Sequence, residues 1–261
     1  MPEEQPASTH FSPDGLDLGM ATDVGRVREA NEDALLVLRG DGLRAGQALV
    51  AVADGMGGHK AGEVASALAI ESMRRALEEV DPTANADDLL KRGMELGNRT
   101  IWEAATADID KDGMGTTLVC ALLSSDGQAV IANVGDSRAY SVIGGQASLV
   151  TADHTWVNQQ VLSGQMSERD ARVSPFRNLL TRSLGNQPHV EVDLFTNVRL
   201  GTGDALVLVS DGVTGYLDER DVSMVLREAS SAQEAAERLV EEAVERGGAD
   251  NATAVVARRS R

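Results

Sequence analysis

Short apolar runs with β-branched content recur along the chain, and they predict strands over Ala34–Leu38, Ala48–Ala53, Thr117–Leu123, Ala129–Val134, Arg138–Ile143, Ala205–Ser210 and Ala252–Ala257. Two longer stretches with a different period interrupt them. Ala61–Glu79 carries Val64, Leu68, Ile70, Met73 and Leu77, and Ala86–Ala107 carries Leu89, Leu90, Met94, Ile101 and Trp102. Their mainly three-to-four spacing predicts helices with one buried stripe. Further helices are predicted over Thr155–Ser163, Ser167–Val173, Glu219–Ala229 and Ala232–Arg246. Strands cluster, a helix pair follows, then strands again, then a helix pair near the end. Strict strand–helix alternation is absent, so an antiparallel α+β layering with helices over the outer faces is expected rather than a doubly wound parallel sheet.

The first 15 residues show no periodicity and read as a disordered tail, and the domain is expected over residues 16–257. Residues 153–197 are polar and poor in strand signals, which predicts a lid or flap over the core. Residues 258–261 read as a short basic tail.

Composition narrows the function. The 261 residues hold 41 acids against 24 Lys and Arg, a net charge of −17, and only three Phe, two Trp and two Tyr. That removes the basic footprint and the stacking platform of a nucleic-acid binder. No apolar run approaches the roughly 18 residues of a membrane span, and the acidic, Pro-containing start is unlike a secretion leader, so a soluble cytoplasmic monomer is expected. Cys120 is the single cysteine, which leaves no intramolecular disulfide and no thiolate metal cluster.

Three predicted strands end in the same way: ALVAVADG places Asp54 and Gly55 after a strand, VIANVGDSR places Asp136 there, and ALVLVSDG places Asp211. Asp250, in GGADNATAVV, immediately precedes the last strand. One such acid is an ordinary turn carboxylate. Four ends converging on one sheet edge would repel one another and raise their pKa values unless cations sat between them. Oxygen donors without His or Cys partners point to Mg²⁺ or Mn²⁺. A decoy is DIDKDG, Asp108–Gly113, which copies half of an EF-hand loop. The twelfth position is Val119 rather than a bidentate Glu, so calcium is not expected there.

In chain order, the segments RVREANEDA, VADGMGGHKAGEVAS, GMGTTLV, ANVGDSRAY, DHTWV, LLTRSLG, LVSDGV and ADNATAVV resemble the metal-dependent PPM, or PP2C-type, serine/threonine protein phosphatases, over about residues 17–257. The resemblance implies a four-layer α-β-β-α sandwich of two antiparallel sheets flanked by helix pairs, with two Mn²⁺ or Mg²⁺ ions at one edge and a possible third. It implies that Asp54 bridges the two ions, that the Gly55 carbonyl binds the second, and that Asp211 and Asp250 complete the first. Glu32 and Asp33 would hold metal-bound waters, and Asp136 with Asp211 would serve the third ion. Arg28 would bind the substrate phosphate through its two-pronged guanidinium, and His59 is the candidate general acid. Where many members have His-Pro in the flap, this chain reads Val173-Ser174-Pro175, so that His has no counterpart.

The implied reaction is hydrolysis of phosphoserine and phosphothreonine esters by a metal-bound water or hydroxide, acting on phosphoproteins and opposing a bacterial kinase of the eukaryotic type. In-line attack between two ions needs no protein nucleophile, which agrees with Cys120 lying in the apolar run TLVCALL. The alternative is a phosphopeptide-binding scaffold with little activity. Loss of metal ligands would mark it, and every expected Asp is present.

Overall fold

The computed structural model describes residues 15–40, 43, 46–57, 60–79 and 84–260. The N-terminal tail up to residue 14, and His59, lie outside the described residues.

In chain order the strands are β1 (Leu16–Asp23), β2 (Asp33–Arg39), β3 (Gln47–Met56), β4 (Gly115–Thr116), β5 (Leu118–Ser124), β6 (Gln128–Val134), β7 (Arg138–Ile143), β8 (Gln146–Leu149), β9 (Asp193–Arg199), β10 (Ala205–Val209) and β11 (Ala252–Arg259). They form two sheets, ordered β1-β11-β10-β7-β8 and β2-β3-β5-β6-β9, with β4 paired to β3. Every pairing is antiparallel. The helices are α1 (Lys60–Glu79), α2 (Ala86–Ala107), α3 (Trp156–Leu162), α4 (Glu168–Val173), α5 (Asp211–Thr214), α6 (Glu219–Glu228) and α7 (Ala232–Arg246).

Three apolar seams separate four layers, and the period of two along each strand assigns residues to them. In β3, Leu49, Ala51 and Ala53 face the seam shared with α1 and α2. Their neighbours Ala48, Val50 and Val52 face the seam between the sheets. In β10, Leu206 and Leu208 enter that same middle seam, whereas Ala205, Val207 and Val209 pack under α6 and α7. Central strands buried on both faces read as unbroken apolar runs, which is why they are visible in the sequence. The expected α+β sandwich of two antiparallel sheets with helices outside is what the chain forms.

Of the edge strands, β2 was expected as Ala34–Leu38, and β1, β8 and β9 were not. Strand β1 is polar enough to escape notice because half of it serves as a contact strip for α7. The Asp17 carboxylate accepts the Ala232 N–H at 2.6 Å, and a Cβ on Gly19 would stand 2.2 Å from the Ala232 carbonyl carbon. Strand β9 lies at an edge of the second sheet, largely half-buried or exposed; it takes over the end of the segment expected to be flap. The expected basic tail is also corrected, because Arg258 and Arg259 belong to β11. Arg258 donates to the Leu226 and Ala229 carbonyls at the end of α6, and Arg259 to the Leu200 carbonyl. The DIDKDG stretch closes as a 3-10 turn capped by Asp108, with Lys111 paired to the same carboxylate at 3.0 Å.

The Gly19 contact is with backbone, which cannot move aside without shifting α7. Gly19→Ala should therefore lower the urea midpoint with an unchanged slope, a loss of about 1–3 kcal/mol. An unaltered midpoint would show that α7 does not rest on β1 in this way.

Candidate metal centre at the shared edge of the sheets

Antiparallel register brings the acids together. Asp33 and Asp54 are direct cross-strand partners where β2 begins and β3 ends. In the other sheet, Val209 at the end of β10 stands opposite Arg138 on one side and Ala254 on the other. Asp211, Asp136 and Asp250, each within a few residues of those partners, therefore emerge at one edge. Each of the five keeps some solvent contact, as groups on the floor of an open recess do.

Burial first, and then proximity, raises the pKa values of four of them. Asp54 is pushed well above the usual carboxylate range by burial first, then by Asp33, Asp211 and Asp136. Asp33 is pushed up to about 7 by burial, with Asp211 and Asp250 adding to it and hydrogen bonds from Thr253 and Ser210 opposing it. Asp136 also rises to about 7, from burial and then the nearby Asp211 and Asp153. Asp211 is raised by burial and by Asp250, and is partly relieved by a hydrogen bond with Asp54.

The backbone of Asp54 is held on three sides. Its N–H donates to Thr117 Oγ1 at 3.0 Å, and its carbonyl accepts from Thr116 Oγ1 at 2.8 Å and from the Thr117 N–H at 2.9 Å. Thr117 Oγ1 in turn meets Ser137 Oγ at 2.7 Å. Glycine is required next to Asp54, because a Cβ on Gly55 would come within 2.2 Å of the Gly62 carbonyl oxygen and 2.6 Å of that of Glu32. Glu32 reaches the same crossing, since a Cβ on Gly62 would lie 2.2 Å from its Oε2.

Asp33 accepts from Ser210 Oγ at 2.8 Å through Oδ2. Its other oxygen, Oδ1, is buried with no hydrogen-bond partner. Arg28, half exposed, donates from Nη2 to Asp250 Oδ2 at 2.6 Å. That bond, then the fields of Asp250, Glu32 and Asp54, hold its guanidinium above the ordinary value against a smaller desolvation effect.

The structure thus brings Arg28, Glu32, Asp33, Asp54, Gly55, Asp136, Asp211 and Asp250 to one place. Sequence reasoning gave no role to the groups that hold them, although GMGTTLV, ANVGDSRAY and DHTWV contain several. Arg138 grips Asp153 with two bonds of 2.9 and 2.7 Å. His154 exchanges two bonds with Gly135: its N–H donates to the Gly135 carbonyl, and its Nδ1 accepts the Gly135 N–H. The ring proton is therefore on Nε2, facing Asp193 Oδ2 at 3.1 Å, and burial lowers the His154 pKa. Arg182 closes the chain on the other Asp193 oxygen. The base of the flap is thus tied to the Gly135–Asp136 turn. Further out, in the Val173-Ser174-Pro175 stretch, Ser174 is buried and its hydroxyl oxygen accepts the Phe176 N–H.

Among the described residues no three His, Cys, Asp or Glu side chains close into a ready-made ligand set. The donors nevertheless fit divalent cations. All are hard oxygens, their crowded negative charge has no equal countercharge, and Asp33 Oδ1 is left without a partner. Mg²⁺ and Mn²⁺ suit so open a cluster, Mg²⁺ in particular because it keeps several waters and touches protein through only one or two carboxylates.

A two-sheet sandwich with an acidic edge of this make-up defines a class, and comparison with known proteins gives the same one: the protein phosphatase 2C family profile matches residues 26–247. The chain belongs to that family. It is 38% identical over 242 residues to the serine/threonine phosphatase stp of Listeria welshimeri, covering 92% of this chain and 94% of that protein. Among solved structures, the serine/threonine phosphatase of S. agalactiae superposes with a TM-score of 0.85 at 34% identity, covering 93% of this chain and 99% of that one. The catalytic domain of the serine/threonine protein phosphatase PstP, in complex with two manganese ions, does so with a TM-score of 0.79 at 32% identity, covering 94% and 99%.

The raised acids make a prediction for the metal-free protein. Asp136 has a folded pKa of about 7 against roughly 3.9 when unfolded, so between those values the folded state binds the extra proton and stability falls as pH rises. Asp136→Asn removes the charge. In chelator, its melting temperature should exceed that of the wild type at pH 8, and the gap should narrow at pH 5 and close only below about pH 4. A gap of equal size at both pH values would show that the effect is not electrostatic.

Proposed function

We propose that this protein phosphatase hydrolyses phosphoserine and phosphothreonine esters of proteins at a centre of two Mn²⁺ or Mg²⁺ ions, with a third in reach of Asp136. The observation that carries the reading is the convergence of five acids from both sheets on one edge, with a buried unpartnered carboxylate oxygen and an arginine beside them. Asp54, Gly55, Asp211 and Asp250 would hold the core ions, with Glu32 and Asp33 reaching their waters. Bound there, such ions would supply positive charge to the phosphoryl oxygens and an activated water.

The remaining chemistry belongs to the chain. Arg28 offers a planar fork to two phosphate oxygens, sharing itself with Asp250 or leaving it when substrate enters. Asp33 Oδ1, which has no hydrogen-bond partner in the protein, would accept one from water and, with its raised pKa, can hold a proton. Asp54 is kept in place through its backbone by Thr116 and Thr117, so its carboxylate keeps a fixed aim. Proton delivery to the leaving oxygen is assigned to His59 on the family resemblance. Cys120 takes no part, because burial pushes its thiol up to about 12 and it remains protonated.

Relatives named as serine/threonine phosphatases and the two manganese ions of PstP support this reading. By the same reasoning the substrates are phosphoproteins and the opposing activity is a serine/threonine kinase. No helix among the described residues is long and apolar enough to cross a membrane. We assign the protein to the cytoplasm as a monomer.

Chelator treatment should abolish hydrolysis of p-nitrophenyl phosphate and of phosphothreonine peptides, and Mn²⁺ or Mg²⁺ should restore both. Full turnover in chelator would overturn the metal requirement, and no turnover with either ion would favour a phosphopeptide-binding scaffold. Asp54→Asn should lower kcat by at least about two orders of magnitude with an unchanged circular dichroism spectrum. Near-normal kcat in that variant would remove Asp54 from the centre.

A further inference from the structure

Arg28 stands on an exposed loop between β1 and β2, where local side chains bond at the two ends: Asp23 Oδ1 accepts the Gly25 N–H at 2.7 Å, and Asn31 donates to Thr22 Oγ1 at 2.8 Å and accepts the Asp33 N–H at 3.1 Å. Val24, Arg26, Val27, Arg28, Glu29 and Ala30 are all exposed. One buried side chain from elsewhere in the sequence binds both of its ends. Asn251, 4% exposed, donates from Nδ2 to the Val24 carbonyl and to the Ala30 carbonyl, both at 2.9 Å. Its Oδ1 accepts the Glu32 N–H at 2.8 Å. Only one orientation of the amide satisfies this set, because turning it over would face its oxygen to two carbonyls and its NH₂ to an N–H. Two lesser contacts act in the same place: the Arg26 N–H donates to the Gly248 carbonyl at 2.7 Å, and Gly25, at φ +80°, lets the loop pass against the Asp250 carbonyl.

We propose that Asn251 is a positioning residue for phosphate recognition: by clamping Val24, Ala30 and Glu32 it fixes the loop from which Arg28 reaches Asp250 and the acid cluster. The inference rests on the reading of Arg28 as the phosphate-binding residue. Without the clamp, the Val24 and Ala30 carbonyls and the Glu32 N–H turn to water, the loop samples other conformations, and phosphate must wait for the one in which Arg28 faces it. Affinity falls by the fraction of time that conformation is populated. Asp250 keeps its own link to this residue, since its Oδ1 accepts the Asn251 backbone N–H at 2.9 Å, a bond that any side-chain substitution leaves intact.

The test is a double-mutant cycle on Mn²⁺-loaded protein with Asn251→Ala, Arg28→Ala and the combination. Inorganic phosphate affinity is read by inhibition and by calorimetry, and Mn²⁺ affinity and hydrogen exchange of residues 24–32 are read alongside. Arg28→Ala should weaken phosphate binding, and Asn251→Ala should weaken it by a smaller factor, about three-fold or more, raising KM more than it lowers kcat. The combination should be no worse than Arg28→Ala alone. Mn²⁺ affinity should be unchanged in Asn251→Ala, with faster exchange at Glu32.

Unaltered phosphate affinity in folded Asn251→Ala overturns the proposal, as do losses that multiply in the combination or a parallel loss of Mn²⁺ affinity. Unaltered phosphate affinity in Arg28→Ala is a separate outcome: it overturns the phosphate role of Arg28 and the clamp's purpose with it. If Asn251→Ala does not fold, Asn251→Ser, which retains one donor for one of the two carbonyls, takes its place in the cycle under the same criteria.

Discussion

Mutual repulsion among recessed carboxylates is the constraint around which this molecule is arranged. Asp33, Asp54, Asp136 and Asp211 all have pKa values raised first by burial and then by neighbouring carboxylates, Asp250 and Asp153 among them. A chain selected for stability alone would not gather them. Buried like charges persist when a bound cation turns the cost into affinity, and here the donors are all oxygen and one of them is left open. The same concentration of charge draws in Arg28 and Arg138, each held by a carboxylate at the rim.

The sandwich is a means of holding those acids still. Strands buried on both faces give the two sheets little freedom to slide, because a slip of one residue would turn each strand's residues toward the wrong seam. Register then fixes which residues meet at the edge, as with Asp33 opposite Asp54. Finer control comes from small polar groups at 0–5% exposure: Thr116, Thr117, Ser137, Ser210, Asn251 and Thr253. Ser137 bonds to the Thr117 hydroxyl, and the others bind backbone or carboxylate within the cluster or its loops. The flap belongs to this control as well. Its helix α4 is largely exposed, whereas its base is tied through His154, Asp193 and Arg182 to the turn that carries Asp136.

What could be read from the sequence follows from the same physics. Central strands such as β3 and β10 announce themselves because both faces are apolar, and α1, α2, α6 and α7 because one stripe is. Asp54, Asp136, Asp211 and Asp250 were legible as a set because each ends or precedes a strand, and Asp33 only through the family resemblance. The edge strands β1 and β9 were not. β1 spends Asp17 and Gly19 on its contact with α7, and β9 has one face in water, so neither shows an apolar run. The roles of Thr117 and Asn251 were hidden for a different reason: a Thr or Asn reads the same in a solvated turn as it does when clamping a backbone more than 60 or 200 residues away in sequence. His59 was legible only through the family resemblance.

The central claim is that divalent cations take the place of protons on this cluster, and calorimetry measures that exchange directly. Mn²⁺ is titrated into chelator-treated, dialysed protein at a pH just below 7, in two buffers of different ionisation enthalpy. With Asp33 and Asp136 titrating near 7 in the metal-free protein, binding should release protons, and the apparent enthalpy should differ between the buffers in proportion to the number released. Tight binding with the same enthalpy in both buffers, or no binding, would contradict the account.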